Sequence, residues 1–274
     1  MRKTNEKFLI FCDLDSTLLT KDKKIPFSTI LFIKKLVRNG SMFVINTGRP
    51  LVGTLKFIKK LNISSPIIVD NGATIIYKDK IVGEYIPKKD AINLFNDLKN
   101  YINCSFIESS NYMYFYNENE VPFWMVHNSR ISKRTKIIEK GLNSLQEDIH
   151  DGYFEFYTVH KNKIEEIIKN YHTIDFYYYK KNDELSTYTI YKKGITKGTA
   201  TLNVIKELDF KKKNTIAFGD AHWDIPMLEN VNHSVAMING NNDVKKITKY
   251  ITKYDNNHKG VERFLKTLIK NSQG

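Results

Sequence analysis

Phe8-Leu9-Ile10-Phe11-Cys12-Asp13-Leu14-Asp15-Ser16-Thr17 runs from unbroken apolar residues straight into two aspartates. An apolar run of this length reads as a strand buried on both faces, the habit of a parallel sheet. The same rhythm returns downstream. Ile30, Ile33 and Leu36/Val37 mark a helical face stopped by Asn39-Gly40. Met42 to Ile45 is a second strand, followed by Asn46-Thr47-Gly48-Arg49-Pro50. Leu51, Leu55 and Ile58 keep helical spacing, and Pro66-Ile67-Ile68-Val69 leads into Asp70-Asn71-Gly72. Strands alternating with helices predict a Rossmann-like parallel α/β core. In such a sheet ligands bind beyond the carboxyl ends of the strands. Asp13/Asp15, Thr47/Arg49 and Asn71 are therefore expected along one edge.

The rhythm breaks near Lys78-Asp79 and resumes after Gly194. Between them lie aromatic runs such as Tyr112-Met113-Tyr114-Phe115-Tyr116 and Tyr153-Phe154-Glu155-Phe156-Tyr157, with helical patterns around Ile92 to Ile102 and Ile164 to Ile168. We read residues 1–80 and 190–274 as one discontinuous core and 81–189 as an inserted α+β domain. Most of the tyrosines are expected to pack that domain, with one or two left for a pocket. The resumed core predicts a helix from Lys197 to about Leu208, strands at Thr215 to Phe218 and Ser234 to Met237, and a closing helix around Val261 to Ile269.

Composition narrows the function. The 274 residues are 41% hydrophobic and 27% charged, ordinary values for a globular protein. No stretch approaches the ~20 apolar residues that span a bilayer. Met1-Arg2-Lys3 opens like a signal peptide, but the apolar run behind it is too short and meets acids at once, so no targeting segment is read. Cys12 and Cys104 sit in apolar runs, as packing residues rather than a disulfide, and a reducing, cytoplasmic setting is expected. The formal charge is +13, yet lysines are spread along helix faces, and Lys211-Lys212-Lys213 is the one compact run. A solvated surface explains that pattern better than nucleic-acid or membrane binding. An anionic small molecule would still be drawn in.

On an extended backbone, residues two apart point to the same side, so Asp13 and Asp15 would share a pocket while Leu14 turns away. Two close carboxylates repel unless a cation or a proton joins them. Magnesium suits the place, being held by carboxylates and phosphate oxygens. Alone, the motif reads equally well as a turn after the strand. A second acidic segment shifts the balance: Gly219-Asp220-Ala221-His222-Trp223-Asp224-Ile225-Pro226-Met227-Leu228. If a helix starts early there, Asp220 and Asp224, four apart, share its face; Asp224 also suits a helix N-terminus. Acidic residues converging on one sheet edge favour a metal site.

Taken together, these segments resemble a haloacid dehalogenase superfamily phosphatase, of the Cof-type subfamily IIB with a large α+β cap. The resemblance rests on the first motif, Ile-Asn-Thr-Gly-Arg-Pro, Asp-Asn-Gly-Ala, Ile-Thr-Lys-Gly and Gly-Asp-(three residues)-Asp-Ile-Pro-Met-Leu, in that order across nearly the whole chain. It implies a magnesium-dependent hydrolysis of phosphate monoesters through an aspartyl-phosphate on Asp13. A carboxylate with a reference pKa of ~3.9 is ionised at neutral pH and needs no partner base. Asp15 would protonate the leaving alcohol and then activate water, work that calls for a raised pKa, with Asp13 nearby pushing it up. Thr47 would donate to a phosphoryl oxygen, and Lys197 would set a positive charge against that group and Asp13. Asp220 would bind magnesium with the Asp13 carboxylate and the Asp15 backbone carbonyl, Asp224 directly or through water.

The same resemblance puts Leu14, Gly48, Arg49, Asn71 and Asn239 at phosphate- or substrate-binding positions. Arg49 serves equally to brace its loop, and the asparagines equally to make turns. Ser16 stands where glycine is usual, and Trp223 where an asparagine usually precedes the second aspartate; altered efficiency or substrate preference is expected from the indole, which accepts no hydrogen bond. The expected partner is a small phosphorylated metabolite: sugar phosphates first, then pyridoxal phosphate or flavin mononucleotide. A phosphomutase-type transferase and a non-catalytic phosphate-binding protein are the alternatives. Monomer and homodimer both stay open.

Overall fold

The structure, a computed structural model, describes residues 7–121, 123, 126–127, 133–138, 142 and 145–271. The Met1-Arg2-Lys3 start lies outside the described residues. The chain forms two compact units, Met1–Gly83 with Ile195–Gly274, and Glu84–Gly194.

In the first unit β1 (Leu9–Cys12) is buried along its whole length. It runs parallel to β2 (Met42–Asn46) on one side, with Leu9 opposite Met42. Beyond β2 come β3 (Ile67–Val69), parallel to it, and then two short antiparallel strands, β4 (Thr74–Ile76) and β5 (Ile81–Gly83). The strands that complete this sheet on the other side of β1 come from the second half of the chain.

Both sheet faces are covered, which is why its strands are apolar throughout. Ile10 and Cys12 point into a core shared with Ile33 of α1 (Phe27–Arg38) and Phe57 of α2 (Leu51–Leu61). Leu9 and Phe11, one residue out of phase, enter the opposite core.

The second unit is built around another sheet. Its strands in chain order are β6 (Cys104–Ser109), β7 (Met113–Tyr116), β8 (Thr135–Ile137), β9 (Ile149–Tyr157), β10 (Ile174–Lys180) and β11 (Leu185–Lys192). They lie in the spatial order β10-β11-β9-β6-β7-β8. Neighbours are antiparallel except β7 and β8. Helices α3 (Lys88–Leu98) and α4 (Lys161–Ile168) supply Leu94, Phe95 and Ile164 to a core with Ile107, Phe154 and Ile190. Tyr114 and Tyr188 are buried there, whereas Tyr179 is exposed. This is the α+β composition expected of the inserted segment.

The first unit closes with α5 (Lys197–Glu207), β12 (Thr215–Gly219), α6 (Ile225–Glu229), β13 (His233–Ala236), α7 (Asn242–Ile247), β14 (Tyr250–Ile251) and α8 (Gly260–Asn271). Strand β12 pairs in parallel with β1, Leu9 opposite Thr215, and β13 and β14 continue the sheet outward in parallel. The full order is β14-β13-β12-β1-β2-β3-β4-β5. Ala200 and Val204 of α5 and Met227 of α6 fill the core that takes Leu9 and Phe11. Among the described residues no helix is long and apolar enough to cross a membrane. Both cysteines are free and buried.

Candidate active site

The carboxyl ends of β1, β2, β3 and β12 deliver Asp13, Thr47, Asn71 and Asp220 to one edge of the first unit. Backbone hydrogen bonds lock these loops together: Asp13 N donates to Phe218 O (3.1 Å), Thr47 N to Ile68 O (3.0 Å) and Asn71 N to Thr47 O (3.2 Å). Lys197 reaches the same edge from the first turn of α5, whose start is capped by Thr196 through the N–H groups of Gly198 and Thr199. Gly72 is held at φ 105°, and a Cβ there would collide with Thr196 O. The loop after β3 therefore presses directly on the segment that carries Lys197.

Lys197 is the hub. Its Nζ donates to Asp13 Oδ1 at 2.7 Å and to Asp224 Oδ1 at 2.6 Å, and the lysine is 4% exposed. Burial works against that charge, but Asp13 and Asp224 more than offset it and raise the ammonium above the usual lysine range. Burial likewise raises the Asp13 carboxyl, Lys197 opposes the rise, and Asp224 adds to it, so this carboxyl does not keep the ordinary value from which its ionisation at neutral pH was expected. Asp220 is raised to about 6 by burial, against the hydrogen bond it accepts from Thr17 Oγ1 at 2.7 Å.

Asp13, Asp220 and Asp224 each turn one carboxylate oxygen to within 4.8 Å of the others. An all-oxygen, all-anionic donor set of this kind suits a hard divalent cation such as magnesium. Asp224 is already committed, however. Its Oδ2 accepts from the backbone N–H of Asp220 (2.9 Å) and Ala221 (3.0 Å), and its Oδ1 holds Lys197. Helix α6 does not begin early enough to put Asp220 and Asp224 on one face; it starts at Ile225, after a tight turn over His222–Asp224. The two meet because the turn folds Asp224 back onto the Asp220 backbone.

Asp15 departs from expectation. Its carboxylate joins neither Asp13 nor the acidic group. Arg49 grips it with two bonds, Nε to Oδ2 at 2.5 Å and a terminal nitrogen to Oδ1 at 2.8 Å, and Lys23 adds a third at 2.6 Å. Burial works to raise this carboxyl, but the bonds from Arg49 and Lys23 win and hold it at about 2. The raised value expected from Asp13 is overturned because the direct bonds from Arg49 and Lys23 outweigh what raises this carboxyl. Arg49 thus braces the Asp15 loop.

The remaining predicted positions divide. Thr47 is buried and its Oγ1 accepts from Arg49 N at 3.2 Å, which among the described residues leaves the hydroxyl proton free to be donated. Gly48 lies against the Asn71 amide, where a Cβ would meet Oδ1 at 2.8 Å. Asn239 donates to Ser16 O at 2.8 Å and accepts from Asn256 N, so it ties two loops together. Leu14 is buried in the core, which leaves only its backbone for a ligand. Ser16 adopts φ 58°, the left-handed conformation that favours glycine. Trp223 is half-buried, with its ring beside His222. Burial, and then Asp13 beside it, pushes the Cys12 thiol up, in keeping with a packing role. Thr17 and Lys23 had no predicted part. Thr17 lies four residues after Asp13 in the first motif; Lys23 carried no signal, because a left-handed turn at φ 55° brings it back to Asp15.

An open α/β sheet thus carries acids around a buried lysine at its carboxyl edge. The profile of the haloacid dehalogenase-like hydrolases matches residues 10–265. The chain is 29% identical to the 5-amino-6-(5-phospho-D-ribitylamino)uracil phosphatase YcsE of Bacillus subtilis, over 89% of each chain. It is 25% identical to the phosphatase YwpJ of the same organism, over 95% of this chain and 99% of that one. A haloacid dehalogenase-like hydrolase from Bacteroides thetaiotaomicron shares the fold with a TM-score of 0.78 at 19% identity, covering 96% of this chain and 99% of that chain. The chain belongs to the haloacid dehalogenase-like hydrolases, and it is a phosphatase.

Proposed function

We propose that the chain hydrolyses small phosphate monoesters by way of a phosphoryl group carried on Asp13. The observation that carries this is Lys197, buried between Asp13 and Asp224 at 2.7 and 2.6 Å at the carboxyl edge of the sheet. One fixed ammonium there lowers the repulsion between a carboxylate nucleophile and a phosphoryl group. An oxygen of Asp13 attacks phosphorus, the bond from phosphorus to the ester oxygen breaks, and the alcohol leaves. Water then attacks the same phosphorus, releasing phosphate and restoring Asp13.

Thr47 donates its free hydroxyl proton to a phosphoryl oxygen. Asp15, ionised in its clamp, suits the second step, where it takes the proton of the attacking water. To give a proton to the leaving alcohol in the first step, it has to be freed from Arg49 and Lys23 and protonated first. Asp13 and Asp220 would hold magnesium, joined by the Asp15 carbonyl, with Asp224 behind them. Bound magnesium supplies charge neutralisation at the phosphoryl oxygens. The inserted unit is assigned to substrate selection.

Sugar and polyol phosphates are the favoured class. The YcsE name describes a phosphorylated ribityl chain, a group that flavin mononucleotide also carries. A panel of phosphorylated metabolites, assayed for free phosphate with magnesium and with chelator, tests this. Release from sugar or polyol phosphates that stops with chelator is expected. A folded protein that frees phosphate from no ester contradicts it, and an isomeric sugar phosphate as product would indicate transfer instead.

A further inference from the structure

Strand β2 ends on a polar residue that its environment does not call for. Asn46 is fully buried in a strand whose preceding residues are apolar. Its Nδ2 donates to Lys197 O at 3.1 Å and to Thr201 Oγ1 at 3.0 Å. Thr201 Oγ1 gives its own proton to Lys197 O at 2.7 Å, so both neighbours face Asn46 as acceptors and the amide can be oriented only one way. That orientation leaves Asn46 Oδ1 buried without a partner among the described residues. An apolar residue would pack there without such a loss. The amide is kept for what its two protons hold.

One holds the main-chain carbonyl of Lys197 directly, and the other holds the Thr201 hydroxyl that bonds to the same carbonyl. Helix α5 does not need them for its start, because Thr196 and Thr199 already form a complete capping box. Asn46 directly precedes Thr47, and the ammonium of Lys197 spans Asp13 and Asp224. One side chain therefore ties the loop of Thr47 to the backbone that aims Lys197. Resting on the phosphatase reading above, we propose that Asn46, with Thr201 as its relay, is a positioning residue that sets Lys197 against Asp13.

The test compares Asn46→Ala, Thr201→Val and the double variant with the wild type on p-nitrophenyl phosphate with magnesium, alongside thermal unfolding. Thr215→Val is the control: Thr215 is buried and hydrogen-bonded to Lys212 O at the opposite end of β12. For Asn46→Ala the expected result is a fall in kcat of about tenfold or more with KM changed less than about threefold. Thr201→Val is expected to lower kcat less, and the double variant to be no worse than Asn46→Ala, as two parts of one clamp require. Thr215→Val should lower Tm and leave kcat alone. Losses that multiply in the double variant, or an Asn46→Ala that loses Tm but not kcat, would overturn the inference. If Asn46→Ala does not fold, Thr201→Val decides alone: reduced kcat supports the clamp, and wild-type kcat refutes it. A wild type without turnover would refute the phosphatase reading instead, so the two failures are told apart.

Discussion

Between Asp13 and Asp224 the protein buries a single ammonium against two carboxylates, and little solvent reaches any of the three. Removing one member of a buried ionic group strands the rest, at a cost of about 3–5 kcal/mol. Lys197→Met is thus expected to lose stability on that scale in urea unfolding, and roughly 10²–10³-fold in kcat. Asp15 makes the contrasting case, since it is over a third exposed on its side chain. Its folded pKa, about 2, lies below the ordinary 3.8. The clamp therefore stabilises the fold fully above pH ~3.8 and loses that contribution as pH falls through about 2. Arg49→Met should lower Tm near neutral pH and converge on the wild type at the acid end. A Tm deficit independent of pH would contradict the clamp. At this scale the sequence was legible where a residue sits in a motif: Asp13, Thr47, Lys197 and Asp220 all reach the edge predicted for them. It was not legible for Asp15, because Arg49 turns from the substrate position implied for it to grip that carboxylate, and Lys23 joins it through a turn without a pattern.

Elements place these residues, and their contacts are closest where glycine allows it. Gly72 combines a φ of 105° with an approach to Thr196 O so close that a side chain of any size would clash. Gly72→Ala is expected to cost about 1–3 kcal/mol, and to lower kcat by shifting the Thr196–Lys197 segment; urea unfolding with steady-state kinetics checks both. Strands buried on both faces were readable because burial makes them continuous apolar runs: β1, β2, β3, β12 and β13 lie where such runs occur. Strand β4 follows the Asp70–Gly72 turn almost at once, and β5 and β14 are exposed throughout, so none of them stands out as a separate buried run. The start of α6 was misjudged for a related reason. A tight turn that brings Asp224 onto the backbone of Asp220 has no periodicity to reveal it.

For the molecule as a whole, the acidic edge and the formal charge of +13 act together. The positive field draws anionic substrates, an effect that weakens with ionic strength, while the converging carboxylates offer a divalent cation its oxygens. Chelator is expected to abolish turnover and magnesium to restore it. Magnesium at about 100 times its Kd should also stabilise the folded chain by about 2.7 kcal/mol, read as a rise in Tm; no rise would count against the acidic group as its site.

The central claim is that Asp13 itself takes the phosphoryl group. Rapid quenching during turnover of a ³²P-labelled sugar phosphate, followed by peptide mapping, reads this directly. The expected result is a hydroxylamine-labile label on the peptide that contains Asp13, absent from Asp13→Asn. Turnover with no label on the protein, or a label on another residue, would contradict it.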